Sequence, residues 1–444
     1  MSATEVVQDT LARIRSVDGK LNAFTEVTAE RALADAAAVD AKRASGQPLP
    51  PLAGVPYAVK NLFDIKGVTT LAGSKINRDL APAGEDAQLV ARMQTAGAVL
   101  MGALNMDEYA YGFTTENTHY GPTRNPHDLA RIAGGSSGGS TAAVAAGLVP
   151  LALGTDTNGS IRVPASLCGL FGIKPTYGRL TRRGTYPFVA SLDHVGPFAR
   201  SVADLAACYD ALQGPDRLDP ACAQQDVSPT ASMLDQPSAS LRIARLGGYF
   251  DKHMSEDAAE AVTLVSRALN ITRVAELPEV ERARSSAFII TAQEGSQLHL
   301  ADLKTRPHDF EPLIRDRLLA GALIPAAWYL QAQRFRSWFA TRALEVFRDN
   351  DILISASTPI CAGLIGTETF TLAGESMLLR PSMGLLTQPI SFIGLPVVAV
   401  PVLRPGKLPM GVQIIAAPWR EDLALRIAAH LEREGLCAAP VANL

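Results

Sequence analysis

The sequence predicts an α/β fold with a largely parallel or mixed β-sheet, and two observations lead to this prediction. Short apolar runs rich in β-branched residues alternate with helical patterns along the chain. In addition, 47% of the 444 residues are apolar, which excludes a chain that is mainly disordered. The length would allow two or three domains, but large α/β proteins also fold as one unit.

The elements are predicted in chain order from the spacing of their apolar residues. Ser2 or Thr4 can cap a first helix, and an Ala-rich helix over 29–44 ends before Gly46 and Pro48. Strands are predicted over 55–60, 98–101, 151–154, 241–245, 351–355 and 396–402. Helices are predicted over 86–96, 256–269 and 326–348, and the Pro/Ser/Gln-rich stretch 216–237 is predicted to be a long surface loop.

Charge and cysteine content exclude several classes of function. With 41 Lys and Arg against 44 Asp and Glu, the chain lacks the concentrated basic face that nucleic acid requires. The five cysteines are scattered and form no C-x-x-C pair, which is typical of reduced thiols in a cytoplasmic protein. The seven histidines show no ligand spacing, so we expect neither a metal nor another cofactor.

No membrane span or signal peptide is expected. The longest apolar stretch, 142–154, is interrupted by Gly147 and Pro150 and is shorter than the roughly 20 residues that cross a bilayer. The N-terminus is amphipathic and mixed in charge, and it lacks the apolar centre of a signal peptide. We therefore expect no contact with a membrane.

The segment AGGSSGGSTAAVAAG at 133–147 is unusual because glycines and serines lead directly into a helical Ala/Val pattern. A flexible linker would lack this apolar continuation. A phosphate-binding loop is not supported, since neither the Gly-Lys-Ser/Thr ending nor the G-x-G-x-x-G spacing is present. A third interpretation takes Ser136 or Ser137 as the nucleophile at the strand-to-helix elbow of an α/β-hydrolase.

Two further motifs accompany this segment. Ser160 ends a second glycine-containing turn, GTDTNGS at 154–160, directly after an apolar run. Lys60 lies at the end of the predicted strand 55–60, where burial would desolvate its ammonium group. Each feature alone would be weak evidence for catalysis, but together the three indicate a hydrolase.

The motifs resemble those of the amidase signature family. The resemblance rests on GVPYAVKN at 54–61, GGSSGGS at 134–140, GTDTNGSIRVP at 154–164, CGLFGIKPTYGR at 168–179, SLDHVGPFARSVAD at 191–204, GLP at 394–396 and GVQII at 411–415. It implies the amidase signature fold, a large twisted mixed β-sheet covered by helices on both faces. It also implies a single domain over 1–444, with a catalytic core at about 54–204 and a substrate-side region at about 240–420.

The resemblance implies a Ser-cisSer-Lys triad that cleaves an amide bond. Ser160 would be the nucleophile, Ser136 the bridging serine after a cis peptide bond from Gly135, and Lys60 the base. A serine hydroxyl needs a neighbouring base, and a buried lysine can act as one because burial favours its neutral form. The α/β-hydrolase elbow is disfavoured, since no HGGG oxyanion sequence precedes it.

The resemblance further implies that the backbone N–H groups of Thr157, Asn158, Gly159 and Ser160 form the oxyanion hole. Many relatives have glycine in place of Asn158, and asparagine would tolerate the left-handed conformation that such a glycine suggests. Asp156 and Arg162 are expected to form a structural ion pair. Cys168, close to the nucleophile in sequence, is expected to be a small buried apolar residue.

Two subfamilies are most similar, the glutamine-hydrolysing subunits of glutamyl-tRNA amidotransferase and the carboxybiuret hydrolases of s-triazine (cyanuric acid) degradation. The former bind the glutamine carboxylate through an arginine in an A-Q-x-x-R helix, which Arg336 matches, and the ammonium through an aspartate, where this chain has Gly384. A carboxylated substrate without an amino group, such as 1-carboxybiuret, fits this pattern. If Arg336 does not bind the carboxylate, Arg380 and Arg182 are the next candidates.

Both subfamilies also imply a small helical partner that resembles the smallest, C-type component of the amidotransferase. Three alternatives to a carboxybiuret hydrolase remain at this stage. The chain could be the glutamine-hydrolysing component of an amidotransferase, another small-molecule amidase, or a non-catalytic scaffold within such a complex. The scaffold is disfavoured, because it would not need to keep Lys60, Ser136 and Ser160.

Overall fold

The computed structural model describes residues 1–444, and its centre is one mixed sheet of eleven strands. The strands are β1 (Phe24–Val27), β2 (Pro56–Lys60), β3 (Val99–Leu104), β4 (Leu151–Asp156), β5 (Phe171–Lys174), β6 (His194–Ala199), β7 (Ile243–Leu246), β8 (Arg273–Ala275), β9 (Ile352–Ala356), β10 (Val397–Val402) and β11 (Met410–Ala416). Three two-stranded ribbons lie outside the sheet, at Glu116–Asn117 with Gly121–Pro122, Arg124–Asn125 with Asp128–Ile132, and Thr369–Leu372 with Glu375–Leu378.

The order of the strands places the ends of β2 and β4 together. Across the sheet the order is β1-β3-β2-β4-β6-β5-β10-β11-β9-β7-β8. β2 runs parallel to both β3 and β4, with Val59 opposite Leu153. The five successive pairs in the middle of the sheet are antiparallel, namely β4-β6, β6-β5, β5-β10, β10-β11 and β11-β9. Since the carboxyl ends of parallel strands lie at the same edge, the chain after Lys60 and the chain after Asp156 begin side by side.

Fifteen helices accompany the sheet. They are α1 (Ala3–Leu21), α2 (Ala29–Ala44), α3 (Gln88–Thr95), α4 (Gly138–Ala145), α5 (Arg162–Cys168), α6 (Val202–Leu212), α7 (Tyr249–Lys252), α8 (Glu256–Ala268), α9 (Val280–Leu298), α10 (Leu300–Thr305), α11 (Pro312–Ala322), α12 (Ala326–Val346), α13 (Leu379–Ser382), α14 (Gln388–Ser391) and α15 (Glu421–Arg433). Short 3₁₀ turns lie at Ile76–Asp79, Glu108–Ala110, Ala231–Met233 and Pro307–Asp309. None of the helices is both long and apolar enough to span a bilayer.

The predicted fold class is confirmed, and the predicted elements are present with ends that differ by a few residues. Ser2 caps α1 by accepting a hydrogen bond from the Glu5 N–H, and α2 has the predicted bounds. The stretch 216–237 is irregular apart from one 3₁₀ turn at Ala231–Met233. β6 was not predicted, because Gly196 and Pro197 in its centre disfavour a strand.

The Gly/Ala segment after residue 133 forms a completely buried helix. Every residue of α4 is buried. Small residues are needed there, because a Cβ atom on Gly139 would lie only 2.5 Å from the backbone N and O of Asn105. The linker interpretation of this segment is therefore wrong.

Candidate active site

Lys60 is completely buried at the end of β2 and lies between two hydroxyl groups. Its Nζ donates hydrogen bonds to Ser136 Oγ at 2.7 Å and to Thr155 Oγ1 at 2.8 Å. Burial lowers the pKa of Lys60 to about 7, although the carboxylates of Asp107, Asp193 and Asp156 act in the opposite direction. At neutral pH a large fraction of Lys60 is therefore uncharged and able to accept a proton.

The loop before α4 presents Ser136 to Lys60. The peptide bond between Gly135 and Ser136 is cis, as the resemblance implies. Ser137 points elsewhere: its Oγ donates to the Thr155 carbonyl at 3.2 Å and accepts from the Thr155 N–H at 3.3 Å. These bonds hold the loop against the end of β4, and they leave Ser136 as the serine in contact with the lysine.

The turn after β4 offers four consecutive backbone donors. The N–H groups of Thr157, Asn158, Gly159 and Ser160 form no hydrogen bond with the rest of the protein. Gly159 has φ +142, and a Cβ atom there would lie 2.1 Å from Thr387 Oγ1, so only glycine fits. Such a row of free donors next to a hydroxyl can stabilise a developing oxyanion.

The backbone conformation of Asn158 differs from the expected left-handed one. The residue does not adopt a positive φ, so the left-handed conformation is not the reason that asparagine is tolerated there. Instead, its side-chain Nδ2 donates to Thr291 Oγ1 at 2.9 Å, and its carbonyl accepts from Thr387 Oγ1 at 2.8 Å. The asparagine therefore connects the turn to helix α9.

A second contact holds the same turn from the opposite side. Thr157 Oγ1 donates to Asp193 Oδ1 at 2.6 Å, and Asp193 Oδ2 accepts from the N–H groups of Phe188 and Val189, both at 2.9 Å. Burial raises the pKa of Asp193. The contact ties the turn to the segment that carries Phe188.

Ser160 lines a small cavity of about 20 Å³. The cavity is lined by Ala110, Tyr111, Gly112, Phe113, Thr157, Asn158, Ser160, Phe188, Phe288, Thr291, Arg317 and Gln388. A much larger groove of about 740 Å³ lies beyond Phe188, which is the one residue that lines both. Because the inner cavity holds about one water molecule, side chains at its mouth have to move when a substrate binds.

Arg317 is the only basic residue that lines this cavity. Its guanidinium lies over the Tyr111 ring, 3.7 Å from the centroid, and forms no ion pair. The other arginine candidates are engaged, Arg380 with Asp107 and Glu311 and Arg182 with Asp219. Arg317 was not predicted from the sequence, although its spacing from the buried residues Ile314 and Gly321 places it on the buried face of α11.

Arg336 does not line the cavity, contrary to expectation. Its Nε donates to the Phe392 carbonyl at 2.6 Å and a terminal nitrogen donates to the Ser191 carbonyl at 2.8 Å. These two bonds occupy two edges of the guanidinium. The first ties α12 to the loop after α14, and the second ties α12 to the loop before β6. In this structure Arg336 holds backbone segments together behind the site.

The chain has no room for a side chain at Gly384. A Cβ atom there would lie 2.5 Å from Cζ of Phe113, whose ring lines the cavity. The position where the resemblance implies an ammonium-binding aspartate is thus occupied by an aromatic ring.

Asp156 and Arg162 form a completely buried ion pair at 3.0 Å. Burial alone would raise the pKa of Asp156, but the charge of Arg162 keeps this pKa far below its ordinary value. The expected structural pair is confirmed. Cys168 is buried as expected, and its Sγ donates to the Ala133 carbonyl at 3.2 Å.

Comparison with known proteins agrees with this arrangement. The profile of the amidase family matches residues 5–425. The protein belongs to the amidase family. It is therefore a hydrolase that acts on amide C–N bonds.

Individual relatives cover nearly the whole chain. This amidase is 60% identical to AtzE, a component of the 1-carboxybiuret hydrolase of Pseudomonas sp. (strain ADP), over 98% of its own length and 96% of the relative's. It is 37% identical to the A component of the glutamyl-tRNA(Gln) amidotransferase of Moorella thermoacetica, over 98% and 93% of the two chains. A solved structure, described as a vestigial protein complex that reveals the evolutionary origins of an s-triazine catabolic enzyme, superimposes with a TM-score of 0.98 at 59% identity, and the match covers 99% of this chain and 96% of that chain.

Proposed function

We propose that this amidase hydrolyses the terminal amide of 1-carboxybiuret, with release of ammonia and formation of a dicarboxylated urea. One observation carries the choice of a carboxylated substrate: the guanidinium of Arg317 lines the cavity of Ser160 and has no carboxylate partner within the protein. A guanidinium can bind a carboxylate through two parallel charge-assisted hydrogen bonds. The 60% identity to a component of a 1-carboxybiuret hydrolase supports the same substrate.

The proposed reaction begins with attack of Ser160 Oγ on the amide carbonyl carbon. The Ser160 proton passes to Ser136, while the Ser136 proton passes along its 2.7 Å hydrogen bond to neutral Lys60. The carbonyl oxygen becomes an oxyanion, which the free N–H groups of the turn 157–160 stabilise.

Collapse of this intermediate breaks the C–N bond. Ser136 returns a proton to the departing nitrogen, which leaves as ammonia, and Lys60 reprotonates Ser136. A water molecule then attacks the acyl-enzyme by the same proton route and releases the second carboxylate. Every proton is returned, so the cycle needs no metal or other cofactor.

The shape of the cavity favours a substrate without an ammonium group. Phe113 fills the space beside Gly384, and no carboxylate lines the cavity. An α-ammonium group, as in glutamine, would therefore be desolvated without a counter-ion.

Ammonia release by the purified protein tests this function. We expect turnover of 1-carboxybiuret with a kcat/KM at least about a hundredfold above that of glutamine or biuret, a ratio typical of losing one buried charge-assisted contact. Glutamine turnover equal to that of 1-carboxybiuret would instead assign the chain to the glutamine-hydrolysing components of amidotransferases. Equal turnover of biuret and 1-carboxybiuret would contradict the role of the carboxylate.

We also propose that the chain works in the cytoplasm with a small helical partner chain. The relatives are named as subunits, and one solved relative is described as a protein complex. On this chain, α12 and the turn before it expose Leu323, Trp328, Leu330 and Trp338, each more than 40% accessible. None of the five cysteines is paired, which suits a reducing compartment.

Mass measurement of the native assembly, purified from its source, tests the partner. A second, smaller chain at equal stoichiometry is expected. A fully active single chain would contradict the proposal.

A further inference from the structure

Three buried carboxylates and one arginine lie next to one another outside the proposed triad. Asp107, Glu108 and Glu311 are all completely buried, and the arginine is Arg380 of α13. A terminal nitrogen of Arg380 lies 2.9 Å from Asp107 Oδ1, and both terminal nitrogens contact Glu311, at 3.2 and 3.3 Å. Arg380 therefore bridges Asp107 and Glu311.

One side of this bridge supports the catalytic loop. The Asp107 N–H donates to the Ser136 carbonyl at 3.4 Å, and Asp107 Oδ2 accepts from the Thr115 N–H at 3.0 Å. The carboxylate also lies directly against Gly135, where a Cβ atom would be 2.1 Å from Oδ2. A shift of Asp107 would thus move the backbone of the serine that contacts Lys60.

The other side of the bridge fixes the start of helix α11. Glu311 is the residue before α11, and its backbone N–H donates to Glu108 Oε2 at 2.6 Å. Its carbonyl accepts from the N–H groups of Ile314 and Arg315, which form the first turn of the helix. Arg317 projects from the second turn of this helix into the cavity.

We propose that Arg380 is a positioning residue, which fixes the helix carrying Arg317 against the loop carrying Ser136 by bridging Glu311 and Asp107. The bridge couples substrate binding to the proton relay. Burial raises the pKa of Glu311 to about 7, although the positive charge of Arg380 acts in the opposite direction. The kinetic part of the inference rests on the proposed function, since it assumes that Arg317 binds a substrate carboxylate.

Glu311→Gln is the most direct variant, because it keeps the shape of the side chain and leaves the Arg380–Asp107 pair intact. We expect hydrogen–deuterium exchange in residues 312–322 to accelerate about tenfold, and the KM for 1-carboxybiuret to rise about tenfold with little change in kcat. The KM for biuret, which has no carboxylate, should hardly change. Arg380→Lys keeps the charge but cannot bridge two carboxylates, so it should show the same pattern.

Asp86→Asn is the matched control. Asp86 also pairs with an arginine, Arg31, at 2.7 Å and also accepts a backbone N–H, but it does not line the cavity. This variant should leave exchange in 312–322 and both KM values unchanged.

Unchanged exchange in 312–322 of the Glu311→Gln protein would overturn the inference, whatever the substrate. Equal rises in KM for both substrates would also overturn it, because they would indicate a general structural role. Failure of the proposed function is separate: Arg317→Ala would then leave the KM for 1-carboxybiuret unchanged, while exchange in α11 would still decide whether the bridge fixes the helix.

Discussion

At the scale of single residues, Lys60 illustrates how burial creates a base. The ammonium group would be stable in water, but at the end of β2 it is removed from solvent and surrounded by hydroxyl groups rather than by a direct ion pair. Neutral Lys60 is thereby brought within reach of physiological pH. The proposed mechanism requires that Lys60 be neutral when the substrate binds.

This requirement predicts a rise of kcat/KM with pH. Because the pKa of Lys60 is about 7 and its neutral form is the proposed base, kcat/KM should be low below this pH and level off above it. A pH–rate profile of ammonia release measures the inflection. A profile that is flat from about pH 6 to 8 would mean that Lys60 does not titrate in the free enzyme.

Substitution of Arg317 and substitution of Arg336 should have different effects, the first on substrate binding and the second on stability. Arg317→Ala should remove about 2 kcal/mol of binding to 1-carboxybiuret and appear mainly as a raised KM, because its guanidinium lines the cavity. Arg336→Ala should lower the midpoint of urea unfolding instead, because it removes two hydrogen bonds to backbone carbonyls. Kinetics and unfolding of both variants decide between the two residues; a raised KM for Arg336→Ala alone would restore the sequence-based expectation.

The residues of the site differ in how far the sequence could predict them. Lys60, Ser136 and Ser160 lie in motifs that resemble those of the amidase signature family, and the resemblance implied their grouping before the fold was known. Arg317 and Phe113 belong to no such motif and reach the cavity only because α11 and the loop after β3 pack together. Their roles follow from tertiary contacts, which a single sequence does not report.

At the scale of elements, the junction between β4 and α5 is held by the buried pair of Asp156 and Arg162. The guanidinium also donates to the Thr387 carbonyl at 3.2 Å and to Gln413 Oε1 at 2.6 Å, so it joins the turn 157–160 to α14 and β11. The turn is thereby fixed from several directions, which keeps its donors aimed at one point.

Asp156→Asn should be strongly destabilising. It leaves a buried arginine without its charge partner, and breaking such a pair costs about 3–5 kcal/mol. Urea unfolding measures the loss, with Asp351→Asn as the control, because the Arg242–Asp351 pair is partly exposed and such pairs are worth about 0–1 kcal/mol. Equal losses in the two variants would show that burial of the pair does not determine its contribution.

β6 shows why one central strand could not be predicted. Its sequence HVGPFA contains glycine and proline, which normally interrupt strands. In the structure Gly196 is required, since a Cβ atom would lie 2.0 Å from the Ile173 carbonyl oxygen. The constraint comes from a neighbouring strand, so the local pattern alone is misleading.

At the scale of the whole molecule, strands from both parts of the chain alternate in one sheet. β5, within the predicted catalytic core at about 54–204, pairs with β10, within the predicted substrate-side region at about 240–420, with Lys174 opposite Val397. The long loop 216–237 therefore connects two parts that share a sheet, as expected for a single domain over 1–444.

Cleavage of that loop should leave the protein assembled. Residues 224–229 are exposed, so a protease recognition site inserted there can be cut in the folded protein. We expect the two fragments to elute together in size-exclusion chromatography and to keep amidase activity, because paired strands hold them together. Fragments that separate without denaturant would indicate two independent domains.

Ser160 is the proposed nucleophile of a Ser-Ser-Lys amidase, and every other functional assignment depends on this one. Labelling with a fluorophosphonate, followed by mass mapping of the modified peptide, tests it most directly. We predict a single adduct on Ser160, its loss together with all turnover in a folded Ser160→Ala protein, and unchanged labelling in Ser137→Ala. An adduct on Ser136 or Ser137, or full activity of Ser160→Ala, would contradict the claim.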